Sequence, residues 1–249
     1  MKKIVMLAAL AVVATGAQAA LVHQWEFNGN TDDSAGSNNG TLNGTAALVS
    51  SGGFDGGGYL SISDSARSYV STGATYDPDS DYTWAVWARL ADDANLDGII
   101  VGNRRDASGT DYSPREFIKV TPVNTVFRPN NVANNVEYDD LTVAAGWVHL
   151  AIVKSGNSVT PYVDGVAGTP LTLSNTFTQD PMPFFIGGDA SAAGANETFN
   201  GDIDDVRVYD NALTSVEVAA LAVIPEPATL GLIAAFGGGI LFIRRRFMI

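Results

Sequence analysis

The chain has 249 residues, no cysteine, and 14 Lys+Arg against 27 Asp+Glu, a net charge of −13 at pH 7. Nucleic acid and anionic lipid surfaces both require a cationic footprint, so this balance argues against either as partner. Without cysteine there is neither a disulfide framework nor a thiolate metal site.

The first 19 residues read as a secretory signal peptide. Lys2 and Lys3 form a positive start, and Ile4–Ala14 is an apolar run. That run is roughly half the ~20 residues a bilayer span needs. Ala17-Gln18-Ala19 supplies the small-x-small cleavage pattern, so the mature chain is expected to begin at Ala20. Residues 20–222 then form one domain. Setting both ends aside leaves 9 basic and 26 acidic residues, a net of −17, in a segment of about 200 residues. That length suffices for one sandwich with a full core.

Short alternating runs recur along this segment: Leu21–Phe27, Tyr82–Leu90, Gly98–Gly102, Val148–Ser155, Ser158–Gly165, Pro183–Gly188 and Gly201–Tyr209. Separated by Gly, Asn, Asp, Pro and Ser, they predict strands. Val153–Val163 predicts a hairpin turning at Ser155-Gly156-Asn157, and Pro161 in its return strand predicts an edge position or a bulge. A single helix is expected, over Leu213–Leu221, opened by a Thr214-x-x-Glu217 capping box. The expected fold class is all-β: a two-sheet antiparallel jelly-roll sandwich.

After Leu221 the chain changes character. Pro225-Glu226-Pro227 blocks helix continuation, Ala228–Ile243 is uncharged, and Arg244, Arg245 and Arg246 follow. An apolar helix of that length spans most of a ~30 Å hydrocarbon core. With all three arginines on the far side, the positive-inside rule puts the C-terminus in the cytoplasm and the domain outside.

Four stretches carry a family resemblance. They are HQWEFNGNTDDSAGSNNGTL, YTWAVWARL, WVHLAIVKSGNSVTPYVDG, and FFIGGDASAAGANETFNGDIDDVRVYDNALTSVEVAAL. Together they resemble the laminin-G-like, concanavalin-A-like jelly-roll domains of bacterial surface proteins. Residues 223–249 resemble a PEP-CTERM sorting signal, which implies recognition by an exosortase in a Gram-negative envelope. The middle of the chain, residues 100–145, matches this pattern poorly, and partner specificity is expected there.

The resemblance implies a structural calcium ion held between the first loop and the last strand. Carried over residue by residue, its ligands are Asp33 and Asp205, with Asp204 as the alternative should a bulge swap the faces. Carboxylates with loop carbonyls are the oxygen set calcium takes; the competing reading is an Asx-turn at Asp33 and an edge Asp205. Asp93-x-Asn95-x-Asp97-Gly98 opens like a calcium loop, but Arg104 stands where the closing Glu belongs.

For saccharide contact the candidates are Trp87, Tyr112 and Tyr138, with Phe127 beside them. Alternation puts Tyr82, Trp84, Val86, Ala88 and Leu90 on one face, and Thr83, Ala85, Trp87 and Arg89 on the other. Trp87 is thus either a stacking platform or a ring covered by a loop. Trp25, Trp84 and Trp147 read as core.

No catalytic residue is expected. His23 and His149 each sit inside a strand pattern, and neither Gly-x-Ser-x-Gly nor His-Glu-x-x-His occurs. Laminarinase-type hydrolases of this architecture carry Glu-x-Asp-x-x-Glu on one strand, whereas Asp202-Ile203-Asp204-Asp205 contains no Glu. The expectation is an exported, non-catalytic module at the cell surface or in exopolysaccharide, binding carbohydrate or extracellular matrix. A purely structural envelope protein is the alternative, and a polysaccharide lyase or glycoside hydrolase the third reading.

Overall fold

The computed structural model describes residues 20–63, 67–91, 98–103, 116–121, 125–128, 136–137, 146–173, 182–188 and 198–224. In chain order its elements are β1 (Leu21–Trp25), β2 (Thr41–Asn43), β3 (Ala47–Val49), β4 (Tyr59–Ile62), β5 (Tyr69–Tyr76) and β6 (Tyr82–Leu90). There follow β7 (Gly98–Asn103), β8 (Glu116–Val120), β9 (Thr125–Arg128), β10 (Val136–Glu137), β11 (Val148–Ser155) and β12 (Ser158–Val163). The last are β13 (Val166–Ala167), β14 (Leu171–Thr172), β15 (Met182–Ile186), β16 (Gly201–Tyr209) and the helix α1 (Ser215–Leu221).

The strands form two antiparallel sheets. One runs β13-β12-β11-β6-β16-β4-β3, with β1 also on β16 and β14 also on β12; the other runs β10-β9-β8-β7-β15-β5-β2. The jelly-roll sandwich expected from the alternation is therefore the fold observed. β11 and β12 make the expected hairpin, pairing Ser155 with Ser158. Pro161 is not at a bare edge: it pairs with Ile152 on β11, and its carbonyl accepts from Gly168 N–H at 2.8 Å between the short ladders to β13 and β14.

Period-2 alternation puts Trp84, Val86, Ala88 and Leu90 of β6 into the main core, with Trp25, Phe27, Phe127, Phe184 and Phe199. Trp84 meets Tyr76 and Phe184 edge-on, at 4.8 and 5.2 Å. On the opposite face, Ala85, Ala151, Val153, Tyr162 and Tyr209 form a second cluster with Leu213 and Val218, which places α1 over that face. Thr214 caps α1 with the expected reciprocal bonds to Glu217, so the helix begins at Ser215.

β16 is the hinge of the design. Ile203 and Val206 both enter the main core although three positions separate them, which a regular strand forbids. A bulge between Asp204 and Arg207, with Asp205 at φ 45°, absorbs the extra residue. Aspartate tolerates this left-handed conformation better than most residues. The bulge leaves Asp204 and Arg207 on the outer face and turns Asp205 toward β1.

Candidate functional site

Asp33 and Asp205 both bond Gln24, and protein donors occupy both carboxylates. The Asp33 side chain is fully buried. Its Oδ1 accepts from Gln24 N–H and Gly36 N–H, both at 2.9 Å; its Oδ2 accepts from Asn38 N–H at 3.0 Å and His23 Nδ1 at 2.7 Å. Burial alone would raise its pKa; the four donors outweigh it and hold the carboxyl below its ordinary value. Asp205 accepts from Gln24 Nε2 at 2.8 Å and faces Arg207 through both oxygens, at 3.0 and 2.8 Å. These donors fill the directions a calcium ion would take, so the Asp33–Asp205 pair does not fit the metal expected for it. Among the described residues no cluster of three His, Asp or Glu could hold one.

Trp87 is on the outer face, as the alternation requires, yet only 2% exposed. Phe54, in the Gly-rich loop between β3 and β4, lies flat on it, with centroids 4.6 Å apart and planes 10° from parallel. His149 closes another side at 5.3 Å. Trp87 is a packed ring in this structure and offers no open platform. Its cross-strand neighbour Asp204 is buried, accepts from Phe54 N–H at 3.1 Å, and has its pKa pushed up to about 7, first by burial and then by Asp55 and Asp205. Burial also pushes His149 down to about 4. A second raised carboxyl, Glu116, is sealed in the core: Tyr82 Oη donates to it at 2.7 Å, and burial lifts it to about 8.

Further along the same outer face is a cluster the sequence did not suggest. Trp147 was expected in the core; it is half-buried, one residue before Val148, which pairs with Ala88. That register puts it beside Arg89, which pairs with Asp202, which pairs with Ser61. The Arg89 guanidinium lies 4.6 Å from the Trp147 ring and 5.3 Å from the Tyr59 ring. Its Nε and Nη2 donate to Asp202 Oδ2 at 3.1 and 2.7 Å. Trp147 Nε1 donates to Gly52 O at 3.1 Å, anchoring the ring to the same loop that covers Trp87. Only the alternation of β6, which turned Arg89 outward, hinted at this site.

At one end of the sandwich a cavity of about 290 Å³ is lined by Tyr76, Tyr82, Tyr209, Asp77, Asp81 and Asp210 among others. Phe127, expected as a ligand contact, is instead wholly buried and edge-on to Trp84 at 5.9 Å. Tyr112, Tyr138, the loop from Asp93 to Asp97, the signal segment 1–19 and the tail from Pro225 lie outside the described residues. Among the described residues no helix is long and apolar enough to cross a membrane.

The family profile described as the concanavalin A-like lectin/glucanases superfamily (Laminin_G_3) matches residues 64–219. No curated protein matches the chain. Among solved structures, domain 4 of AbnA, a GH43 extracellular arabinanase from Geobacillus stearothermophilus in complex with arabinotriose, is similar. It has 22% identity and a TM-score of 0.62, over 82% of this chain and 99% of that one. The binding domain of Paraclostridial Mosquitocidal Protein 1 follows at 16% identity and TM-score 0.57, the similarity spanning about half (52%) of its length. Trypanosoma rangeli sialidase in complex with sialic acid gives 15% and 0.60, over 32% of its length. At these identities the likeness is one of fold.

Proposed function

The chain belongs to the concanavalin A-like lectin/glucanases superfamily, and from that premise we propose that it is an exported, non-catalytic module that binds carbohydrate at the cell surface or in exopolysaccharide. The superfamily offers two roles, holding a glycan or cutting one. The burial of the proton-holding carboxyls carries the choice between them. Cleavage by a retaining or inverting pair needs one carboxyl of raised pKa facing the glycosidic oxygen, with a second across the sugar. Among the described residues the carboxyls of raised pKa are Glu116 and Asp204, and they are 0% and 2% exposed. A polysaccharide cannot reach either. The arabinotriose in the AbnA domain, which the match covers almost whole, supports a carbohydrate partner.

Export and sorting rest on the sequence of the two ends. Residues 1–19 direct secretion, and 223–249 hold the chain in the inner membrane until an exosortase acts on it. The experiment is incubation of the full-length chain with polysaccharide particles, following both depletion of protein from solution and appearance of reducing ends. Depletion without new reducing ends is expected. New reducing ends would make the chain a hydrolase, and neither effect would favour a purely structural envelope role.

A further inference from the structure

We propose that the outer-face cluster of Tyr59, Arg89, Trp147 and Asp202 is the saccharide-binding surface, and that it takes a neutral polysaccharide presenting vicinal hydroxyls. The inference deepens the carbohydrate reading above and rests on it.

Elsewhere on this face α1 covers one part and Phe54 covers Trp87. Around Arg89, the side chains of Tyr59, Ser61, Arg89, Trp147 and Asp202 are all half-buried and so partly reach solvent. Two aromatic rings meet one guanidinium there: the Trp147 ring donates to Gly52 O, and the Tyr59 ring stands edge-on to that indole at 5.8 Å. Rigid rings give a large contact area at small entropic cost, the requirement for stacking on the C–H face of a sugar.

The polar groups between the rings suit a diol. Arginine has five N–H groups; two of those on Arg89 reach Asp202 Oδ2, and among the described residues no further acceptor is bonded to it. Asp202 keeps Oδ1 as an acceptor, and the two side chains are 31% and 15% exposed. One sugar hydroxyl can accept from Arg89 while its neighbour donates to Asp202. The two charges cancel locally and the chain as a whole is at −13, so nothing here compensates a uronate. The end cavity is a poorer fit, because its aspartates Asp77, Asp81 and Asp210 have no arginine or lysine among the described lining residues to donate to a second hydroxyl.

The test is affinity electrophoresis of the full-length chain through native gels containing arabinan, xylan, laminarin or polygalacturonate. Wild type is expected to be retarded by at least one neutral polysaccharide and not by polygalacturonate. Trp147→Ala, and the near-isosteric Asp202→Asn, should each weaken retardation at least tenfold with melting unchanged for the latter, while Asp81→Asn at the end cavity behaves as wild type. If wild type is retarded and both patch variants match it, the site is wrong and the carbohydrate reading stands. Retardation by polygalacturonate above the neutral polymers overturns the ligand class. Wild type that runs freely through all four gels overturns both inferences.

Discussion

Asp33 and Asp205, 172 positions apart in the sequence, are joined through one residue: Gln24 donates its backbone N–H to the first at 2.9 Å and its side-chain amide to the second at 2.8 Å. Two carboxylates in an acidic domain would repel each other; here Gln24, Arg207 and the turn amides supply the compensation. Asp33→Ala strands several buried donors and should cost about 3 kcal/mol. Because no metal is needed for this role, the gap in melting temperature between wild type and variant should be the same in calcium and in EDTA. A gap that closes in EDTA would restore calcium to this pair.

Glu116 makes stability depend on alkaline pH. Its folded value of about 8 lies above the ordinary 4.5, so its proton favours the fold. That contribution is complete below about pH 4.5 and is lost as pH rises through about 8. Asp204 acts in the same sense up to about 7. His149 acts oppositely, its contribution being lost as pH falls from 6.5 through about 4. Between pH 6.5 and 9 the carboxyls dominate, and Glu116 alone should remove about 2 kcal/mol over that range. Glu116→Gln keeps an acceptor for Tyr82 and cannot ionise, so thermal melts of this variant should lose less stability over the same range. An unchanged pH profile would contradict the assignment.

Phe54 acts as a cover for Trp87. Phe54→Ala should cost about 1–2 kcal/mol and leave the indole open to water. In a Trp147→Phe background, which removes the half-exposed tryptophan, its emission should shift to the red and become quenchable by acrylamide. Emission identical to the parent would mean that other groups bury Trp87.

The tail makes its own prediction. Replacing Arg244, Arg245 and Arg246 with Glu removes the positive charges beside the apolar run and should disturb retention or orientation of a reporter fusion. Unchanged localisation would count against both the anchor and the sorting signal.

Much of the fold was legible because alternation in β6 and β11 is long and regular, so Trp84 and Trp87 could be put on opposite faces from sequence alone; the bulge in β16 breaks that alternation and was not fixed by the pattern. Strands β8 and β9 were not, since each is short and only Thr121, Pro122, Val123 and Asn124 separate them. The site was less legible than the fold. That Phe54 covers Trp87 depends on how a glycine-rich loop folds back over the sheet, which no local pattern encodes. Trp147 looked like a core residue because large aromatics usually are. Only the register of β11, β6 and β16 shows that it stands beside Arg89 and Asp202 in one row. Asp33 and Asp205 stood out in the sequence as candidate metal ligands, but the residue that links them, Gln24, carries no charge.

The most direct measurement of the central claim is a glycan array probed with the full-length chain, repeated with Trp147→Ala. Saturable binding to a set of neutral glycans, little binding to uronate-rich ones, and loss of that set in the variant are expected. Wild-type signal no higher than background across the array would contradict that claim.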